Sequence, residues 1–167
     1  MTSSEGTTST HHPSSSKCVF CNISNNDDST VDTNASNKKL YSDDVVFIIK
    51  DIRPHAEHHY LVIPHEHIGS PKTLTQKHIQ LVENLVSTGT KYLTEVLGLA
   101  ENSEMSDVSL GFHWPPLVSV NHLHLHVMHP ASRMSFLSRH VIFKPGFFFV
   151  TPEWLLDRVR KIPDHDQ

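Results

Sequence analysis

His122, His124 and His126 alternate with Leu123, Leu125 and Val127. In an extended chain alternate side chains share a face, so the imidazoles stand on one side, roughly 6.5–7 Å apart along the backbone, with the apolar set on the other. Packed on a core, the apolar set anchors the row, which is what chemistry intolerant of misplacement requires. An imidazole nucleophile needs a neutral attacking nitrogen, a partner that fixes the opposite tautomer, and donors around the group it attacks. A row of three supplies all of these. Phosphorus suits it better than a carbonyl, because the phosphoramidate is readily formed and broken while flanking donors hold its oxygens. His124, in the middle, is the candidate nucleophile. Two other readings stay open: an exposed polar sheet face, and neighbouring His-x-His ligands to zinc or copper.

Cys18 and Cys21 form a second pattern, C-x-x-C. A redox pair expects a βαβ setting that the flanking sequence lacks. Burial of two small thiols and half of a zinc site are the other readings.

The elements that must position these residues are legible in outline. Residues 45–51 (VVFIIKD) and 58–64 (HHYLVIP) are β-branched and aromatic and flank the turn-like Ile52-Arg53-Pro54, which predicts an antiparallel pair ended by Pro64. Thr75 predicts the N-cap of a helix over roughly 76–98, with Ile79, Val82, Val86, Leu93 and Val96 on one face and Gly98 as the stop. Strands are predicted at about 107–113 and, after Trp114-Pro115-Pro116, at about 118–128. Thr151 and Pro152 open a C-terminal helix that offers Trp154, Leu155, Val159 and Ile162 for burial. The class is α+β: a meander-like antiparallel sheet of about five strands, one long helix packed on it and a C-terminal helix. The Ser/Thr-rich residues 1–16 are expected to be a disordered tail, 17–167 a single domain, and 24–39 an exposed loop within it.

Composition narrows the function. Lys and Arg number 14 against 18 Asp and Glu, a net charge of -4, so the broad basic surface of a dedicated nucleic-acid binder is absent and nucleic acid is not the expected partner. Histidine, at 15 copies, points to imidazole chemistry or metal. Two cysteines cannot staple a secreted scaffold, the N-terminus has neither basic nor apolar signal regions, and no run approaches a membrane span. The expectation is a soluble protein of the cytoplasm, with the nucleus not separated from it.

HLHLHVM at 122–128 resembles the histidine triad signature H-φ-H-φ-H-φ-φ, where φ is apolar. FIIKDIRPHAEHHYLVIPHEHI at 47–68 is similar to that family's upstream strand pair, and CVFC at 18–21 to its N-terminal start; the likeness covers about 17–162. GFHWPPLVSVNHLHLHV is most similar to the third branch of histidine triad nucleotide-binding proteins, adenosine phosphoramidases, and aprataxins share much of the block. The resemblance implies a histidine triad fold and two-step chemistry at the α-phosphorus of an adenosine nucleotide, with His124 carrying a covalent AMP. It further implies that His126 holds the phosphate oxygens, that His122 orients the nucleophile's surroundings, and that His67 supports the triad from the neighbouring strand as the fourth histidine. Ser119 would contact the phosphate or leaving group, and Asp51 and Ile52 the ribose and base. As bland alternatives, Asp51 is a strand-end turn residue, Ser119 a solvent-facing hydroxyl and Ile52 plain core. No cofactor is required for such chemistry, but some members of the wider family join such a cysteine pair to two histidines in a structural zinc site, while others hold no metal; the matching positions here are Cys18, Cys21, His67 and His122. Gly111-Phe112-His113-Trp114-Pro115-Pro116 stands where the best-known phosphoramidases carry an Asn-Glu-Gly type stretch, which leaves the leaving-group side open.

The implied activity is release of AMP and an amine from an adenosine 5'-phosphoramidate. Alternatives are aprataxin-like removal of 5'-adenylate from nucleic acid, favoured by Arg133, Arg139, His140 and Lys144 but opposed by net acidity and by the short chain after Ile162, and a non-catalytic nucleotide-binding regulatory module. The resemblance also implies a homodimer joined through the long helix and an edge strand. Phe136, Phe143, Phe147, Phe148 and Phe149 would serve either that contact or the chain's own core.

Overall fold

A computed structural model describes residues 18–26, 38–100 and 106–162. The expected tail at 1–16 and most of the expected loop at 24–39 lie outside these residues. Ser24 and Asn25 do not belong to a loop: they close a helix, α1 (Val19–Asn25), which buries Phe20, Cys21 and Ile23. With seven residues, about two turns, this helix has too little periodicity to stand out in the sequence.

The sheet has six strands rather than about five: β1 (Tyr41–Ser42), β2 (Val46–Lys50), β3 (His58–Pro64), β4 (Ser109–His113), β5 (Leu125–His129) and β6 (Phe149–Val150). Their order is β1-β2-β3-β5-β4-β6, and each strand pair is antiparallel. This is not a simple meander. The long helix α2 (Ile79–Val96) carries the chain from β3 past a vacant position to β4, and β5 then returns into the gap between them. A C-terminal helix, α3 (Pro152–Arg160), completes the chain, capped by Thr151, whose side chain accepts from Trp154 N. No described helix is long and apolar enough to cross a membrane.

Alternation along β2 and β3 sorts their apolar side chains to opposite faces. Val46, Ile48, Tyr60 and Val62 enter the main core beneath α2 and α3. Phe47, Ile49, Leu61 and Ile63 join Phe20 and Ile23 of α1 on the other face. Both faces are covered, which is why the two strands read as nearly continuous apolar runs.

The helix differs from expectation at both ends. Thr75 heads a 3-10 turn (Gln76–His78), not the α-helix itself, and its backbone N–H donates to His78 Nδ1 at 3.0 Å. Val96 is exposed, while Val82, Leu85, Gly89 and Leu93 form the buried stripe. Gly98, at φ 65°, takes the left-handed conformation just after the helix, as its residue type predicts. Gly89 permits the closest approach: a Cβ there would lie 2.9 Å from methyl groups of both Val62 and Val127. An alanine would therefore push α2 away from the strands that position the histidines.

Candidate active site

The regular strand β5 begins at Leu125, so the expected strand from about 118 is too long and His122 and His124 lie in the extended stretch just before it. Proline and polar residues at 114–121 keep that approach irregular. The alternation nevertheless holds: Leu123, Leu125 and Val127 pack into the core under α2, and His122, His124 and His126 are buried on the opposite face. Three buried imidazoles rule out an exposed polar sheet face.

Each ring is fixed by a different neighbour. His124 Nδ1 donates to the His122 carbonyl at 2.7 Å, so its proton sits on Nδ1 and the Nε2 lone pair is free. Burial pushes the His124 ring down to about 4, against the pull of that carbonyl, and keeps it neutral. The backbone N–H of His55 donates to His59 Nδ1 at 3.1 Å, which places the His59 proton on Nε2, 2.9 Å from His126 Nδ1. His126 therefore accepts at Nδ1 and carries its own proton on Nε2, a buried N–H with no partner. Burial and the facing imidazoles hold His126 well below the ordinary histidine range, and burial with His55, His113 and His124 pushes His59 down to about 3. A neutral nitrogen with a free lone pair thus stands beside an unanswered N–H donor, with ring centroids 4.9 Å apart.

Both rings line a cavity of about 470 Å³. Val19, Phe20 and Ile23 of α1 form its apolar wall, and Phe20 meets the His124 ring edge-on at 5.3 Å. Asp51, Ile52 and Ser119 reach the same cavity, so these sequence-predicted residues are brought together with His124 and His126. Ile52 is 65% exposed and cannot be plain core. Asp51 holds the turn, accepting from Arg53 N at 2.7 Å through Oδ1, and its Oδ2 lies 3.4 Å from His59 Nε2. Ser119 is exposed at the mouth.

Residues 17–142 match the family described as scavenger mRNA decapping enzyme C-term binding. The chain is 39% identical over 150 residues to adenosine 5'-monophosphoramidase HINT3 of Xenopus tropicalis, covering 90% of this chain and 92% of that protein. It belongs to the histidine triad family. A more distant relative, aprataxin of Gallus gallus, is 34% identical over 90 residues, 54% of this chain and 27% of its own length. A Zn-bound histidine triad family protein from Mycobacterium smegmatis superposes with a TM-score of 0.54 at 25% identity, covering 73% of this chain and 82% of that one.

The fourth predicted histidine of this histidine triad protein, His67, is not on the neighbouring strand, because Pro64 ends β3 three residues earlier. Its ring meets His122 edge-on at 5.0 Å, and its Nδ1 lies 3.2 Å from Cys21 Sγ. His122 Nδ1 lies 3.4 Å from Cys18 Sγ and 3.5 Å from Cys21 Sγ. These four donors all fall within 4.8 Å of one another. Two sulfurs and two nitrogens at tetrahedral-edge separations fit zinc, whose bonds to such atoms run about 2.0–2.3 Å. The outer arrangement fits as well: His122 Nε2 donates to the Pro64 carbonyl at 2.9 Å, which leaves Nδ1 as a lone pair facing the thiols. Asp51, His59 and His126 also lie close enough together for a metal, but their facing ring nitrogens are already bonded to each other.

The motifs gave no sign of two site residues, His59, fully buried against His126, and His113. His59 shares strand parity with Leu61 and Ile63, whose side chains face the α1 side, while His58 faces the other way with Tyr60. That parity was the available signal. His113 lines the cavity, meeting His126 edge-on at 4.7 Å.

Proposed function

We propose that this protein is an adenosine 5'-monophosphoramidase that hydrolyses AMP-amine substrates through a covalent AMP-histidine intermediate. The observation that carries the reading is the complementary tautomer pair: a free Nε2 lone pair on His124 beside an unpartnered Nε2–H on His126. The relative described as a monophosphoramidase spans nearly the whole chain and supports the substrate class.

In this reading His124 Nε2 attacks the α-phosphorus, so a P–Nε2 bond forms as the bond from phosphorus to the amine breaks. The departing nitrogen takes up a proton delivered from water at the mouth by Ser119. The His122 carbonyl stabilises the positive charge that develops on His124, and His126 Nε2–H binds a phosphoryl oxygen. Water then attacks phosphorus from the mouth, releasing AMP and the free histidine, with its protons returning to solvent. Asp51 takes the ribose hydroxyls, and Ile52 covers one face of the base opposite Val19 and Phe20. Cys18, Cys21, His67 and His122 would hold a zinc whose contribution is structural cross-linking of α1 to the triad.

A fluorogenic AMP-amine tests the reading: wild type turns it over with release of AMP, and His124→Ala does not. Equal rates in both would remove His124 as nucleophile. The partial likeness to aprataxin favours a second reading, removal of 5'-adenylate from nucleic acid. Adenylated nicked DNA offered in parallel decides it: release at enzyme concentrations that turn over the phosphoramidate supports it, and none sets it aside.

A further inference from the structure

The five late phenylalanines separate sharply. Phe136 and Phe147 are exposed, Phe148 is 39% exposed, and Phe143 and Phe149 are buried. Phe143 is the first residue beyond the matched family region, which ends at 142. Its ring nonetheless lies at the centre of the histidine network. Centroid separations are 5.0 Å to His55, 5.6 Å to His59, 5.1 Å to His113 and 5.4 Å to His126, with Phe149 at 5.3 Å behind it. One aromatic ring thus touches four imidazoles brought in by the β2–β3 turn, β3, β4 and β5.

The strap that carries Phe143 is built to stay down. Ser138 is buried, and its hydroxyl lies 2.8 Å from both His55 Nδ1 and Ser135 Oγ. Farther along, β6 pairs with β4 through Phe112–Val150 and His113–Phe149. Gly111 permits that docking: a Cβ there would stand 2.5 Å from the Phe149 ring and 2.6 Å from the Val150 carbonyl.

We propose that Phe143 is a positioning residue for adenylyl transfer, which holds His59 and His126 in their hydrogen-bonded pair and keeps water off that pair. This rests on the function proposed above. Phe143 packs with Met128, Met134 and Phe149 as a core residue does, but its ring also covers the imidazoles themselves. The ring touches His126 but not the His124 nitrogen that attacks, so its loss should slow chemistry more than it weakens binding. Burial, for which Phe143 supplies part of the cover, is the leading cause of the depressed pKa values of His59, His113 and His126. The other titratable groups facing this pair are His55 and Asp51 from the β2–β3 turn and His124 from the triad; Arg139, His140 and Lys144 of the strap are exposed.

The test uses the full chain with Phe143→Ala and Phe143→Leu, steady-state kinetics on an AMP-amine, and NMR titration of the imidazole signals. Alanine should lower kcat by about 10- to 100-fold, the scale of a misplaced reacting group, with KM within about threefold. Leucine, which restores cover without the ring edge, should recover most of that loss. In Phe143→Ala the His59 and His126 signals should titrate closer to the ordinary value of about 6.5, and water-exchange at their N–H groups should quicken. An unchanged kcat, a loss confined to KM, or imidazoles that resist protonation as in wild type would each overturn the proposal. Ser138→Ala, which frees His55 from the strap at almost no cost in volume, should move both readouts in the same direction by a smaller amount, and it serves if the alanine variant at 143 does not fold. The NMR arm is independent of turnover, so a wild type inactive on AMP-amines would count against the proposed function and leave this proposal to the imidazole signals.

Discussion

The two ends of the histidine run carry the same side chain to opposite ends. At His122 the backbone carbonyl of Pro64 takes the Nε2 proton, and the Nδ1 lone pair is turned toward two thiols. At His126 the neighbour is His59, which occupies Nδ1 and leaves Nε2–H buried and without a partner. One end turns a lone pair toward the two thiols and the other keeps an N–H without an acceptor. They stand four positions apart in the chain, and what divides them is which nitrogen the surroundings have already claimed. His124 stands between, its proton held by the carbonyl of the first and its free nitrogen beside the second.

The sharpest way to break this comparison is at its centre. His124→Ala should lower turnover of an AMP-amine by about a thousandfold or more, while stoichiometric zinc binding measured by metal analysis stays intact. Loss of zinc in that variant would mean the two ends are not separable.

The next largest effect belongs to the His126 end. His59→Phe removes the donor that fixes the His126 tautomer, and kcat should fall about 100-fold with metal content unchanged. A kcat equal to wild type would show that His126 keeps its orientation without His59. At the opposite end, Cys21→Ser should abolish stoichiometric zinc and lower the melting temperature, yet cost no more than about tenfold in kcat at a temperature where the protein is folded. A collapse of kcat as deep as that of His124→Ala would erase the distinction between structural and reacting ends.

The smallest effect is shared by both ends. Burial depresses His59 to about 3 and His122 and His124 to about 4, whereas an unfolded chain titrates near the ordinary 6.5. The unfolded state then binds more protons between those limits. Stability is fully present above about pH 6.5 and is lost progressively as the pH falls toward 4. Melting temperatures should decline as the pH falls across that window; a flat profile would mean that the rings titrate in the folded protein as they do in the unfolded chain.

Much of this arrangement was legible in the sequence, and the gaps have physical causes. The long β-branched runs at 45–51 and 58–64, the histidine alternation and the capped C-terminal helix all carry patterns longer than one period, and all stand in the structure within a few residues. β1 and β6 hold two residues each, too few to show a period of two, so their existence depends on the edges they find. The strand order escaped because β5 is inserted between strands that precede it in the chain, a choice made by α2 and not by local pattern. His59 sits beside an identical residue, and only strand register, with Leu61 opposite His126, tells which of the two shares a face with the triad. The late phenylalanines are alike in sequence, and tertiary packing alone divides buried Phe143 and Phe149 from exposed Phe136 and Phe147.

Gly89 lies on the far side of the sheet from the three histidines of the triad, with no chemistry of its own to offer. A saturation screen that scores only lost activity would still place it among the least replaceable positions. Ranking residues by such a screen would therefore draw an apparent active site running straight through the domain, and only a parallel measure of folded protein would reveal that half of it is scaffolding.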